Sequence, residues 1–163
     1  MSLMIEASHN LFHRQPAAKY HIEEIQQRRF CFSLVLMIIG SGIDMVEIGR
    51  IQQSMERYGQ RFLNRVFTAA EQAYCLRKRN AAESLAARFA AKEAGAKALG
   101  TGISRGVNWL EIEVVREPGG RPALCFHGRA AEVARQLGVV RGALSLSHTD
   151  SLAVASVVLE GRS

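Results

Sequence analysis

Between Ala81 and Gly100 the chain reads AAESLAARFAAKEAGAKALG, and nine of these twenty residues are alanine. Alanine favours helix more than any other residue and adds little bulk. The run therefore predicts a helix that packs tightly against its neighbours, with Gly100 as its C-terminal stop. Leu85, Phe89, Glu93 and Lys97 are each four residues apart, so they stand nearly in line along one side. The first two are apolar and the last two are charged. A carboxylate that continues an apolar line needs a partner. The plain reading is a local ion pair between Glu93 and Lys97, worth roughly 0.2–0.5 kcal/mol when exposed.

Around this helix the pattern predicts an α+β fold. MIIGSGID, Met37 to Asp44, reads as a strand. VEIGRIQQSMERYGQRFLNRVF follows with helical period, its apolar side formed by Ile48, Ile51, Met55, Tyr58 and Phe62. Arg50, Arg57, Arg61 and Arg65 share a second stripe of that helix, and Gly59 is its weak point. Thr68 and Glu71 form a capping box at the start of the next helix. NWLEIEVVRE and RPALCFHG read as strands around a PGG turn. RAAEVARQLG is an amphipathic helix, and GALSLSHTDSLAVASVVLEG reads as two strands joined around His148-Thr149-Asp150. The expected architecture is a small, mostly antiparallel sheet with helices packed on one side.

Residues 1–36 show no sustained period and hold three of the five histidines, so they read as an N-terminal extension to a domain over 37–163. Arg28-Arg29 precede the ten-residue apolar run FCFSLVLMII, which is too short to span a bilayer and has a poor cleavage site. Its Val, Ile and Phe content favours a buried strand instead. The three cysteines, Cys31, Cys75 and Cys125, are odd in number and lack metal-binding spacing, which fits inert packing residues in a reducing, cytoplasmic setting. The net charge of +6 implies an anionic partner. A basic nucleic-acid-binding module would fit that charge, but aromatics make up only 7% of the chain, a thin supply for base stacking. A structural oligomer that binds adenine nucleotide without turnover is a third reading.

Several stretches carry chemistry. Asp44 closes an apolar strand, and Glu47 follows where the next helix begins. Asp44 suits either a helix N-cap or a cation ligand, and Glu47 suits the helix dipole. Carboxylates that meet from different elements can hold Mg²⁺, which keeps waters and substrate phosphate as its other ligands. Gly100-Thr101-Gly102 permits close backbone approach to phosphate, although Gly100 is needed as a cap anyway. SLSHTD places His148 at a strand end, but no GxSxG elbow supports a hydrolase, and no P-loop supports an ATPase.

GIDMVEIGRI (Gly42–Ile51), FTAAE (Phe67–Glu71), RFAAKEAGAKALGTG (Arg88–Gly102) and SLSHT (Ser145–Thr149) together resemble the holo-acyl-carrier-protein synthases, the small 4'-phosphopantetheinyl transferases. The resemblance spans Met37 to Glu160. It implies transfer of 4'-phosphopantetheine from coenzyme A to a serine of apo acyl carrier protein, with release of adenosine 3',5'-bisphosphate, as a step serving fatty acid biosynthesis. It implies Mg²⁺ on Asp44 and Glu93, with Lys97 on the pyrophosphate. Arg88 and His148 would serve the 3'-phosphate and adenosine side, and Gly100, Thr101 and Gly102 the adenine-side loop. Arg50, Arg57 and Arg61, with Arg65, would dock the acidic carrier protein. The short members form trimers with coenzyme A at the seams between subunits. The position two residues after Asp44, acidic in larger relatives, is Val46 here. The acceptor serine's proton would go to a water or to a nearby carboxylate such as Glu47. On this reading the alanines let the helix approach the sheet, bringing Glu93 within reach of Asp44.

Overall fold

The computed structural model describes residues 36–103 and 106–162. Strand β1 (Leu36–Glu47) leads into helix α1 (Ile48–Val66), helix α2 (Ala69–Cys75) and helix α3 (Ala81–Ala98). Strands β2 (Ile112–Arg116) and β3 (Pro122–Phe126), helix α4 (Gly128–Gln136) and strands β4 (Val139–His148) and β5 (Leu152–Arg162) complete the order. The fold is α+β and every strand pair is antiparallel. The strands divide into two sheets rather than one: β1-β5-β4, and the β2-β3 hairpin.

Helix α3 lies on one face of the three-stranded sheet and is buried along nearly its whole length. Its alanines explain only half of the close approach. A Cβ on Gly42 would stand 2.1 Å from the Ala94 carbonyl oxygen, and one on Gly40 would stand 2.1 Å from that of Ala98. The helix backbone therefore rests directly on two side-chain-free positions of β1. Ala153, Ala155, Val157 and Leu159 of β5 complete the floor beneath it. The other sheet face stays open, with Ile43 64% and Met45 62% exposed.

Two expectations are revised. The apolar run before Ile39 is not buried where it is described: Leu36, Met37 and Ile38 are exposed on an edge strand, and residues 30–35 lie outside the described residues. The strand expected from Asn108 begins only at Ile112. Trp109–Glu111 form a 3₁₀ turn, because the Asn108 side chain accepts from the Leu110 amide at 3.0 Å while Glu111 reaches back to the Asn108 amide. Helix α1 is broken at Gly59, whose φ of 50° and ψ of −131° leave the helical region. The break falls at the weak point read from the sequence, and it splits the arginine stripe, with Arg50 and Arg57 before it and Arg61 and Arg65 after it. The Thr68–Glu71 capping box forms as expected. Of the extension over residues 1–36, only Leu36 is described.

Candidate active site

Asp44 pairs with Ala155 inside β1, three residues before the helix's N-cap Glu47, and so it is not an N-cap. Alternation along the strand puts Asp44 on the α3 side with Gly42 and Val46. Glu47 belongs to the opposite face with Ile43 and Met45, and it is exposed. Asp44 and Glu47 therefore do not converge.

Lys97 makes no pair with Glu93. Its ammonium instead crosses to the strand, donating to Asp44 Oδ1 at 2.7 Å and to the Ile43 carbonyl oxygen at 2.9 Å. Glu93 lies one helical turn earlier, about 6 Å along the axis. Its Oε1 accepts from the Trp109 indole N–H at 2.8 Å. Among the described residues, Asp44 Oδ2 and Glu93 Oε2 receive no hydrogen bond. The structure thus joins Asp44 to Lys97 and leaves Glu93 one turn earlier on the same helix, each carboxylate keeping one uncommitted oxygen. Hard, anionic oxygens without a protein donor suit a small divalent cation that retains waters. No group of three or more His, Cys, Asp or Glu side chains gathers to form a closed cage among the described residues. Val46, at the position of the missing third acid, is buried core.

The remaining site residues lie at the two ends of α3 and, for Arg88, within its first half. At its C-terminal end, the amide of Gly100 donates to the Lys97 carbonyl oxygen at 2.9 Å, and those of Thr101 and Gly102 donate to that of Ala96 at 3.1 Å. The Thr101 hydroxyl also bonds Ala96, at 3.3 Å. These amides cap the helix rather than opening outward. At the N-terminal end, His148 Nε2 lies 3.3 Å from Glu83 Oε1. Glu83 also lines a surface hollow of about 620 Å³ with Lys78, Arg79, Asn80 and Ser84. Arg88 is buried, bonded to the Ser84 carbonyl oxygen at 3.2 Å and set 4.4 Å from the Tyr74 ring centroid. Its Nε has no partner among the described residues. Burial pushes the Tyr74 phenol's pKa up, but a hydrogen bond with Lys78 and the charges of Arg116, Lys78 and Arg88 outweigh it and bring it down. Glu83 and Glu93 are ten residues apart, so His148 stands about 15 Å along the helix from the acidic corner.

A cleft of about 490 Å³ is walled by Tyr58, Arg61, Phe62, Arg65, Phe89 and Trp109, the last of which is bonded to Glu93. Arg50 and Arg57 are exposed outside it. Burial raises the Cys75 thiol's pKa to about 11, so Cys75 is inert packing, and Cys125 is free and half-buried. No described helix is long and apolar enough to cross a membrane.

Two features escaped the sequence reading. One is Trp109 as the partner of Glu93. The other is a fully buried ion pair, Lys92 to Glu71, at 2.7 Å with both side chains 0% exposed. Glu71 there also caps Thr68 and accepts from the Val114 amide at 2.9 Å, and Lys92 donates to the Trp109 carbonyl oxygen at 2.8 Å. A signal existed for Lys92, since it falls seven residues after Leu85 and four after Arg88 on the buried side of α3.

Comparison with known proteins places the chain. The family model of the 4'-phosphopantetheinyl transferase superfamily matches residues 40–155, and the chain belongs to that family. It is 60% identical over 124 residues to the holo-[acyl-carrier-protein] synthase of Koribacter versatilis, covering 76% of this chain and 99% of the relative. The crystal structure of the Neisseria meningitidis holo-[acyl-carrier-protein] synthase superposes with a TM-score of 0.70 at 34% identity, over 76% of this chain and 98% of that one. The Helicobacter pylori enzyme in complex with coenzyme A superposes with a TM-score of 0.65 at 32% identity, over 73% of this chain and 98% of that one.

Proposed function

We propose that this chain is a holo-[acyl-carrier-protein] synthase. It moves 4'-phosphopantetheine from coenzyme A to a serine hydroxyl of an apo acyl carrier protein, the acidic carrier of fatty acid biosynthesis, in the cytoplasm. The observation that carries this reading is the Lys97–Asp44 contact between α3 and β1, with Glu93 one turn before Lys97 and one uncommitted oxygen on each carboxylate. Asp44 and Glu93 would hold Mg²⁺, which when bound supplies charge neutralisation to the pyrophosphate oxygens. Lys97 exchanges its contact with Asp44 for the same oxygens. The serine oxygen forms the new bond to phosphorus, and the bridging P–O bond of the pyrophosphate breaks. Adenosine 3',5'-bisphosphate leaves with the electron pair, and the serine proton passes to water.

The proposed adenosine contacts favour a shared site. Gly100 lies about 18 Å along α3 from Arg88 and about 25 Å from Glu83, the residue that His148 contacts. A single coenzyme A meets both sets most simply when two copies of the chain contribute to it. The open sheet face bearing Ile43 and Met45 offers apolar surface for such assembly, and a homotrimer with seam sites fits this arrangement. Arg50, Arg57 and Arg61 would dock the acidic carrier protein alongside the cleft.

Incubation of apo carrier protein with coenzyme A and Mg²⁺ tests the reading by intact mass. The expected result is a gain of one phosphopantetheine per carrier protein that requires both coenzyme A and the cation. No gain, together with salt-dependent binding to generic DNA, would favour the nucleic-acid module instead.

A further inference from the structure

The Trp109 indole is fixed from several directions. Its residue opens the 3₁₀ turn capped by Asn108 and Glu111. Its carbonyl oxygen is held by Lys92 at 2.8 Å, and Lys92 is itself locked to buried Glu71. Its ring lies 6.1 Å from that of Phe89 at an interplanar angle of 33°, with the Arg65 guanidinium 5.8 Å from its centroid on the cleft side. A ring so constrained presents its N–H in one direction, and that N–H meets Glu93 Oε1 at 2.8 Å.

From this geometry we propose that Trp109 is a positioning residue for the cation site. It commits one oxygen of Glu93 and so aims the other toward Asp44. The proposal rests on the reading of Asp44 and Glu93 as the cation's ligands. A glutamate side chain has three rotatable bonds, and Glu93 has no other hydrogen-bond partner among the described residues to fix them. A hydrogen bond to a charged carboxylate is worth about 1.5–3 kcal/mol, enough to hold one rotamer in a half-open site. The same bond gives the site an optical reporter, because Trp109 is the only tryptophan in the chain. Cation binding at Glu93 draws electron density from the carboxylate and changes what the indole N–H feels.

The test combines two measurements on the full chain. In the first, tryptophan emission of the wild-type protein is followed as MgCl₂ is added with coenzyme A present. Mg²⁺ is closed-shell and does not quench, so a change reports the indole's surroundings. The expected result is a saturable emission change whose midpoint matches that of transfer activity and which is lost in Glu93→Gln. In the second, Trp109→Phe keeps a ring against Phe89 but removes the donor. The Mg²⁺ concentration for half-maximal transfer should rise about tenfold, a hydrogen bond's worth of binding, while kcat at saturating Mg²⁺ falls less than about threefold. An unchanged Mg²⁺ midpoint in a folded Trp109→Phe protein overturns the proposal. So does a wild-type emission that ignores Mg²⁺ while transfer depends on it. The emission titration needs no variant, so misfolding of Trp109→Phe leaves the test intact. If wild-type transfer needs no divalent cation, the ligand reading itself fails, and the proposal falls with it.

Discussion

Lys92 and Glu93 are neighbours in sequence, yet helix α3 turns them about 100° apart and into opposite situations. Lys92 faces inward. Its ammonium is wholly enclosed, paired with Glu71 and bonded to the Trp109 carbonyl oxygen. Glu71 in turn spends both oxygens on backbone amides and on Lys92. Glu93 faces the edge of the sheet, half-buried, with one oxygen taken and one spare. Asp44 matches it from β1, bonded to Lys97, which is 49% exposed. The inner cluster has every group satisfied within the chain, so it can only hold structure together. The outer cluster is left open, which gives it capacity to bind. Charge on a buried-looking helix is thus two separate devices, told apart by whether the chain itself completes the partners.

Substitutions can break the contrast, beginning with the largest expected effect. Lys92→Met leaves the Glu71 carboxylate buried without its cation and should cost about 3–5 kcal/mol, read as a lowered denaturant midpoint. A midpoint within error of wild type would mean that the inner pair carries no structural weight. Gly42→Ala comes next. Its new Cβ meets the Ala94 carbonyl oxygen at 2.1 Å and the Ala98 nitrogen at 2.8 Å, so helix and strand must part. A loss of about 1–3 kcal/mol is expected, with transfer falling further than stability because Asp44 shifts relative to Glu93. Arg50→Glu touches neither cluster. It should raise KM for the carrier protein about tenfold and leave KM for coenzyme A nearly unchanged, a split that steady-state kinetics with each substrate varied will read.

The smallest effect concerns pH. Burial pushes the Glu113 carboxyl's pKa up, but hydrogen bonds with Thr68 at 2.8 Å and His127 at 2.9 Å, and the charges of His127 and Lys92, bring it below the ordinary 4.5. A carboxyl lowered on folding adds stability that is present above its unfolded value and lost as pH falls through its folded one. Glu113→Gln should therefore be less stable than wild type at neutral pH, and the gap should close on acidification below about 4.5. A gap constant with pH would contradict this linkage.

Much of the molecule is legible before any coordinates. The alanine run gives α3, the Thr68–Glu71 box gives the start of α2, and the alternation around His148 gives the β4–β5 pair. The choice of Asp44, Glu93 and Lys97 as candidate residues comes only through the family resemblance, since the helix alone argues for a Glu93–Lys97 pair that does not form. The rest depends on contacts that no period encodes. Trp109 reaches Glu93 from sixteen residues away, and Glu71 reaches Val114 from forty-three. Gly40 and Gly42 read as ordinary strand glycines until a helix backbone is laid against them. The strand expected at Asn108–Glu111 yields to side-chain capping, which apolar alternation does not register.

The central claim is that the outer cluster binds and the inner one supports. The most direct measurement is carrier-protein mass gain with Asp44→Ala, made beside its unfolding midpoint. Asp44 is 17% exposed but its partner Lys97 is 49% exposed and can return to water, so its removal should move stability by no more than about 1 kcal/mol. Transfer should fall by at least about a hundredfold, as expected when a group stabilising developing charge is removed. Wild-type transfer by a stably folded Asp44→Ala protein would contradict the account.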